Sequence, residues 1–111
     1  MSRLPTYDPA RTFDATALTG SYQDVGAVLA TPAYGYVIFN TSDVDMQVSF
    51  NDGSTNGPII PAGGTMSDSV YNQGLRGENA IRVLPEGAQI QVKQVTGAGT
   101  DGDLIVNIVR E

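Results

Sequence analysis

The seven residues Val44-Asp45-Met46-Gln47-Val48-Ser49-Phe50 alternate apolar and polar side chains without an error. A period of two over this length describes a strand with one buried and one wet face. A slip of one residue would turn every apolar side chain of the run into water. Val44, Met46, Val48 and Phe50 are therefore expected to face a core. The preceding run, Tyr34 to Asn40, is rich in aromatic and β-branched residues, and Thr41-Ser42-Asp43 between the two suits a tight connection. The sequence predicts a hairpin here.

The rest of the chain is written in the same short units. Arg11 to Leu18 reads as a strand closed by Thr19-Gly20, and Tyr22 to Leu29 as another, with Gly26 placed as a bulge. Thr65 to Tyr71, Ala80 to Leu84, Gln89 to Val95 and Leu104 to Val109 complete the set. Most of the thirteen glycines and six prolines lie in the turns between these runs. About eight strands at a spacing of roughly 8–12 residues, without a helix, predict an all-β jelly-roll-like sandwich of antiparallel strands.

One domain is the natural content of 111 residues. A chain of this size buries roughly two-thirds of its unfolded surface, so a core is possible without disulfides or metal. Hydrophobic residues make up 41%, which excludes a disordered tail, while only 16% are charged. The polar surface must therefore be built from Ser, Thr, Asn, Gln and Gly. Net charge is −6, with Lys93 the single lysine and five scattered arginines. A nucleic-acid surface needs clustered cations, so nucleic acid and anionic membrane are not expected partners. No segment approaches the roughly 20 apolar residues of a membrane span. The N-terminal residues carry no run of signal-peptide length, so a soluble chain made in the cytoplasm is expected.

The chain contains no histidine and no cysteine. The usual general base near neutral pH, the commonest metal ligand and thiolate chemistry are all missing. Serines and threonines have only Lys93 or a carboxylate to activate them. Asp52-x-Ser54-x-Asn56-Gly57-x-Ile59 matches the start of a calcium loop, but the twelfth position is Gly63 where a bidentate glutamate belongs. Added calcium should accordingly leave the melting temperature unchanged, and a rise of several degrees would overturn that reading. Asp43 and Asp45, expected beside a turn, and the loop residues Glu78 and Glu86 form no convincing glycosidase pair, and there is no tryptophan platform. No catalytic, metal or cofactor-binding residue is nominated, and no cofactor is expected.

The first ten residues read as an extended arm ahead of a domain at residues 11–111. Pro5 and Pro9 disfavour helix, and Arg3, Leu4, Pro5 and Tyr7 combine an apolar anchor with a stiff backbone and a charge. Leu75 and Arg76, in a glycine-flanked loop, are candidates for an interface tip. These six residues are the expected partner-binding positions. Ser2 to Asp8 are expected to order only on a partner, because they hold too little apolar surface to fold alone.

Three stretches carry a resemblance: Phe13 to Gln23 with its Thr19-Gly20-Ser21-Tyr22 core, Val37 to Asp45, and Pro61-Ala62-Gly63-Gly64. In turn and strand pattern they resemble the small capsid decoration (staple or cement) proteins of tailed bacteriophages, most nearly the staple proteins of epsilon-fifteen-type podoviruses. The resemblance covers most of the chain beyond the arm. It implies a jelly-roll-like, non-enzymatic virion protein on the outer surface of the capsid, made in the host cytoplasm. Its partner would be the major capsid protein, whose neighbouring subunits it would link as a homodimer. The alternative is a carbohydrate-binding or tail-associated phage β-domain, which would display tyrosines on one exposed face.

Overall fold

The computed structural model describes residues 6–51, 53, 56–69 and 84–110. Among them lie nine strands and one 3-10 turn. The strands are β1 (Thr6–Tyr7), β2 (Arg11–Asp14), β3 (Gln23–Asp24), β4 (Gly35–Asn40), β5 (Met46–Ser49), β6 (Ile59–Ile60), β7 (Thr65–Ser69), β8 (Gln91–Gln94) and β9 (Asp103–Arg110). They form two antiparallel sheets. One runs β1-β9-β4-β7 with β2 also on β9, and the other runs β3-β8-β5-β6.

β1 and β2 share one edge of β9. Thr6 and Tyr7 pair with Arg110 and Val109, whereas Arg11 pairs with Val106. Three residues, 8–10, thus oppose two, a one-residue bulge that admits Pro9 where no ladder hydrogen bond is needed. Counted as one interrupted strand, β1/β2 brings the total to eight. The sheet orders are then first-eighth-third-sixth and second-seventh-fourth-fifth, so the chain is one long antiparallel hairpin rolled up on itself. The expected jelly-roll sandwich is the fold observed.

The core lies between the sheets. Tyr36 and Ile38 of β4 and Leu104, Val106 and Ile108 of β9 supply one wall, and Met46, Val48, Ile60 and Val92 the other. Within the alternating run Met46 and Val48 are fully buried, while Val44 and Phe50 are half-buried and pack against the core. The Phe50 ring meets Tyr36 at 5.0 Å between centroids. Truncating a fully buried Phe costs roughly 3–5 kcal/mol. Phe50→Ala is expected to cost about half of that, because part of the ring stays in water. A chemical-denaturation difference near zero would mean the ring contributes no packing.

Three expectations need correction. The Tyr34–Asn40 and Val44–Phe50 runs are not a hairpin: β4 pairs with β7 and β9, β5 with β6 and β8. The link between them crosses from one sheet to the other, because Asn40 fixes it in a corner. Asn40 donates through Nδ2 to Val44 O (2.8 Å) and Ile60 O (3.0 Å), and its Oδ1 accepts from Ser42 N (3.0 Å) and Ser42 Oγ (2.6 Å). Secondly, the strand read over Arg11–Leu18 stops at Asp14, whose side chain accepts from Thr16 N (2.9 Å) and turns Ala15–Ala17 into the 3-10 turn. The Tyr22–Leu29 run likewise forms only the two-residue β3 before Gly26, whose φ of 76° ends the extended geometry.

The third correction concerns the arm. The sheet already begins at Thr6, inside the stretch expected to wait for a partner. Asp8 explains this. Its N–H donates to Ile108 O (3.1 Å), and its carboxylate meets the Arg110 guanidinium through two contacts of 2.7 Å. Arg110, 102 positions away in sequence, also donates to Thr31 O, and the clasp ties the residue after β1 to the last residue of β9.

The hydrogen bond from Arg110 holds the Asp8 carboxyl below the ordinary aspartate range, with Arg110 and Arg11 charges adding to it against some desolvation. A folded value lower than the unfolded one stabilises the protein above the unfolded value. That contribution is lost as pH falls from about 4 through the lower folded value. Asp8→Asn is expected to cost about 1 kcal/mol at neutral pH, and the gap from wild type should close in acid. A gap that persists unchanged in acid would show that the ion pair is not its source.

Candidate interaction surface

Several carboxylates are held in hydrogen bonds, two at turns and one across a strand pair. Asp43 accepts from Thr100 N (3.0 Å) and Thr100 Oγ1, Asp45 accepts from Ala62 N (3.0 Å), and Asp24 accepts from Gln91 Nε2 (2.6 Å). Donation by Thr100 pulls the Asp43 carboxyl down, and donation by Thr16 does the same for Asp14. A general acid at neutral pH needs the opposite shift. Among the described residues no three Asp or Glu are grouped to hold a metal ion. A hollow of about 310 Å³ between Phe50–Asn51 and Pro85–Gln89 is lined, among the described residues, by one titratable side chain, Glu86.

The two outer faces of the sandwich differ sharply. On the β3-β8-β5-β6 sheet the outward side chains other than Ile59 on edge strand β6 are polar, and several of them are hydrogen-bonded. Gln47 donates to Gly57 O (3.0 Å), and Tyr22 OH donates to Asn56 Oδ1 (2.9 Å). The Lys93 ammonium lies 4.8 Å from the Tyr22 ring centroid. A Cβ on Gly53 would approach Tyr22 Cδ2 to 3.2 Å, so the ring is also crowded by backbone there. Tyr36, another of the tyrosines, is inside the core.

The other sheet presents an apolar face. On β4 and β9 the residues out of phase with the core are Val37, Phe39, Ile105, Asn107 and Val109. Register sets Phe39 opposite Ile105 and Val37 opposite Asn107. The flanking positions are uncharged, with Thr65 and Ser67 beside Phe39 and Val37, and Thr12 beside Ile105. Phe39 is 37% exposed, the others half-buried. Acids appear only at the end of the face, where Asp14 opposes Asp103. Val28, Ile59 and Val95 are also exposed, but they lie on separate loops and edges, as single surface apolar residues commonly do. A continuous apolar cross-strand patch is the less ordinary feature.

Of the expected partner-binding residues, Arg3, Leu4, Pro5, Leu75 and Arg76 lie outside the described residues. Tyr7 is placed by its backbone alone, opposite Val109 at the rim of the apolar face. Phe39, Val37 and Ile105 were not singled out from the sequence. The signal was present, because both β4 and β9 carry apolar residues on both phases of the alternation.

No family model matches the chain, and no curated protein matches it. A solved structure of a Bacillus endospore appendage, described as belonging to a novel family of disulfide-linked pili, superposes with a TM-score of 0.53 at 10% identity. The alignment covers 98% of this chain and 89% of that one. At this identity the likeness extends to the fold alone.

Proposed function

We propose that this chain is a non-enzymatic virion protein that binds the outer surface of a phage capsid, staples neighbouring major capsid subunits and so stabilises the head. It works there as a homodimer and has no enzymatic role. The observation that carries the reading is the uncharged apolar face around Phe39 and Ile105, set on a rigid sandwich whose polar groups are occupied with one another. Such a face has no catalytic use and suits burial against protein. The resemblance in Phe13–Gln23, Val37–Asp45 and Pro61–Gly64 points to the phage capsid as the assembly the protein joins.

The physics is that of repeated small contacts. A standard contact buries roughly 800 Å² per partner, and area alone does not set affinity. A dimer holding two capsid subunits makes its second contact intramolecular, so modest interfaces add up to firm attachment. The acidic net charge suits a site on the outside of the shell, away from packaged DNA. Disulfide linkage of the kind named for the Bacillus appendage is closed to a chain without cysteine. The carbohydrate-binding alternative draws less support, because Tyr22 on the polar face is engaged by Lys93 and Asn56.

The test mixes purified protein with undecorated heads. Saturable co-sedimentation and a higher temperature of head disruption are expected. Protein that stays in the supernatant at all concentrations would end the capsid reading.

A further inference from the structure

We propose that the outer face of the β1/β2-β9-β4-β7 sheet is where two copies of this chain meet, with Asn107 beside their two-fold axis. The proposal rests on the reading that the chain works as a homodimer, and it names the surface that joins the copies. Three observations lead to it.

The first is charge. Each copy carries −6, so most ways of bringing two copies together oppose acid with acid. The rows containing Phe39, Ile105, Val37 and Asn107 hold no charged side chain, and the acids Asp14 and Asp103 begin only at their end. This face can approach its own image without like-charge repulsion at the centre.

The second is chemistry at the middle of the patch. Asn107 sits between Ile105 and Val109 on its own strand and opposite Val37 on the next. A carboxamide is both donor and acceptor, so two of them related by a two-fold can satisfy each other inside an apolar surround. A lone amide facing a purely apolar partner would be left without a hydrogen bond, which disfavours that occupant.

The third is size. Even taken over the whole sheet face, four strands about 4.8 Å apart and at most eight residues long, at about 3.3 Å each, the area stays under roughly 500 Å² per copy. That is below the roughly 800 Å² per partner of a standard stable interface. The dimer is therefore weak when free and is completed where copies are held close together, as on a shell.

Sedimentation velocity across a wide concentration range tests this with wild type, Phe39→Ser and Asn107→Asp. Wild type is expected to show a reversible monomer–dimer equilibrium that tightens with added salt, since salt screens the repulsion between the two acidic bodies. Asn107→Asp places two carboxylates at the axis and should raise the dissociation constant at least about tenfold. Phe39→Ser should raise it by a similar factor without introducing charge. Both monomers should keep the wild-type circular dichroism spectrum, because neither side chain is in the core. Wild type that stays monomeric throughout, or variants that dimerise as wild type does, would overturn the assignment. A monomeric wild type whose head binding is abolished by Phe39→Ser would overturn it too, giving the face to the capsid subunit. Protein that dimerises through this face yet ignores heads would leave the assignment standing and remove the capsid reading instead.

Discussion

Asn40→Ala is expected to destabilise the protein by about 3 kcal/mol or more, although it removes only a few atoms. Asn40 is 1% exposed, and its amide makes four hydrogen bonds in the corner where the chain leaves one sheet for the other. Alanine would take the side-chain partner from Ser42 N and from the Ile60 carbonyl, whereas Val44 O, 3.0 Å from Ser42 Oγ, could accept the hydroxyl proton that Asn40 Oδ1 no longer takes. Each buried group left without a partner costs roughly 1–3 kcal/mol. Asn40→Asp sharpens the test. The carboxylate could still accept from Ser42 but could not donate to Val44 O or Ile60 O. Facing two carbonyls, it would titrate above the ordinary aspartate range. The variant should thus be poorest at neutral pH and recover in acid, where the protonated carboxyl can donate once. Urea denaturation of both variants across pH measures this. A loss below 1 kcal/mol for Asn40→Ala would mean that something else holds the corner.

Asn40 also marks where local sequence stopped being informative. The alternation in Val44–Phe50 gave that strand and its buried face, because burial of a half-wet strand is written in period two; Leu104–Val109 reads as a strand without a marked face. Which strands pair is a different matter. A five-residue link can close a hairpin or cross a sandwich, and the choice is made by bonds from Asn40 to residues as distant as Ile60. The Asp8–Arg110 clasp was invisible for the same reason: its partners are 102 positions apart. The 3-10 turn at Ala15–Ala17 was legible in principle, since Asp14 followed two residues later by Thr16 is an Asx-turn signal.

The interaction face was legible only in part. Antiparallel sheets with one solvated side alternate cleanly, so the apolar residues at Val37, Phe39, Ile105 and Val109 are an excess that core burial does not explain. Local sequence does not separate them from the core set, because Tyr36, Ile38, Leu104, Val106 and Ile108 between them already satisfy a buried strand face. The N-terminal arm carries the more conspicuous local signal, yet Thr6 and Tyr7 within it pair with β9.

Gly102→Ala should be among the most damaging exchanges available to this chain, and Gly63→Ala shows why by contrast. Both glycines have positive φ, 92° and 73°, a conformation that costs an ordinary residue about 1 kcal/mol or a little more. At Gly63 nothing lies within 4 Å of the added Cβ, so that backbone cost is the whole expected effect. At Gly102 the added carbon would come within 2.5 Å of Thr41 O and 2.6 Å of Ser42 Cα. These are backbone atoms of the corner that Asn40 organises, and they cannot swing aside as a side chain could. Thr41 is fastened there by its N–H to Asp103 O (2.9 Å) and by Asp103 N to Thr41 Oγ1 (3.0 Å), while Gly102 O accepts from Ala15 N (3.0 Å). Relief would require breaking that pairing at the start of β9, the strand that joins β1, β2 and β4. Gly102→Ala is expected to cost at least about 2 kcal/mol more than Gly63→Ala, in line with overpacking beside atoms that cannot yield. Equilibrium denaturation of the two variants side by side measures the difference. Equal losses would mean that the close approach of residues 41–42 to Gly102 relaxes freely, and that the corner is held less tightly than its hydrogen bonds imply.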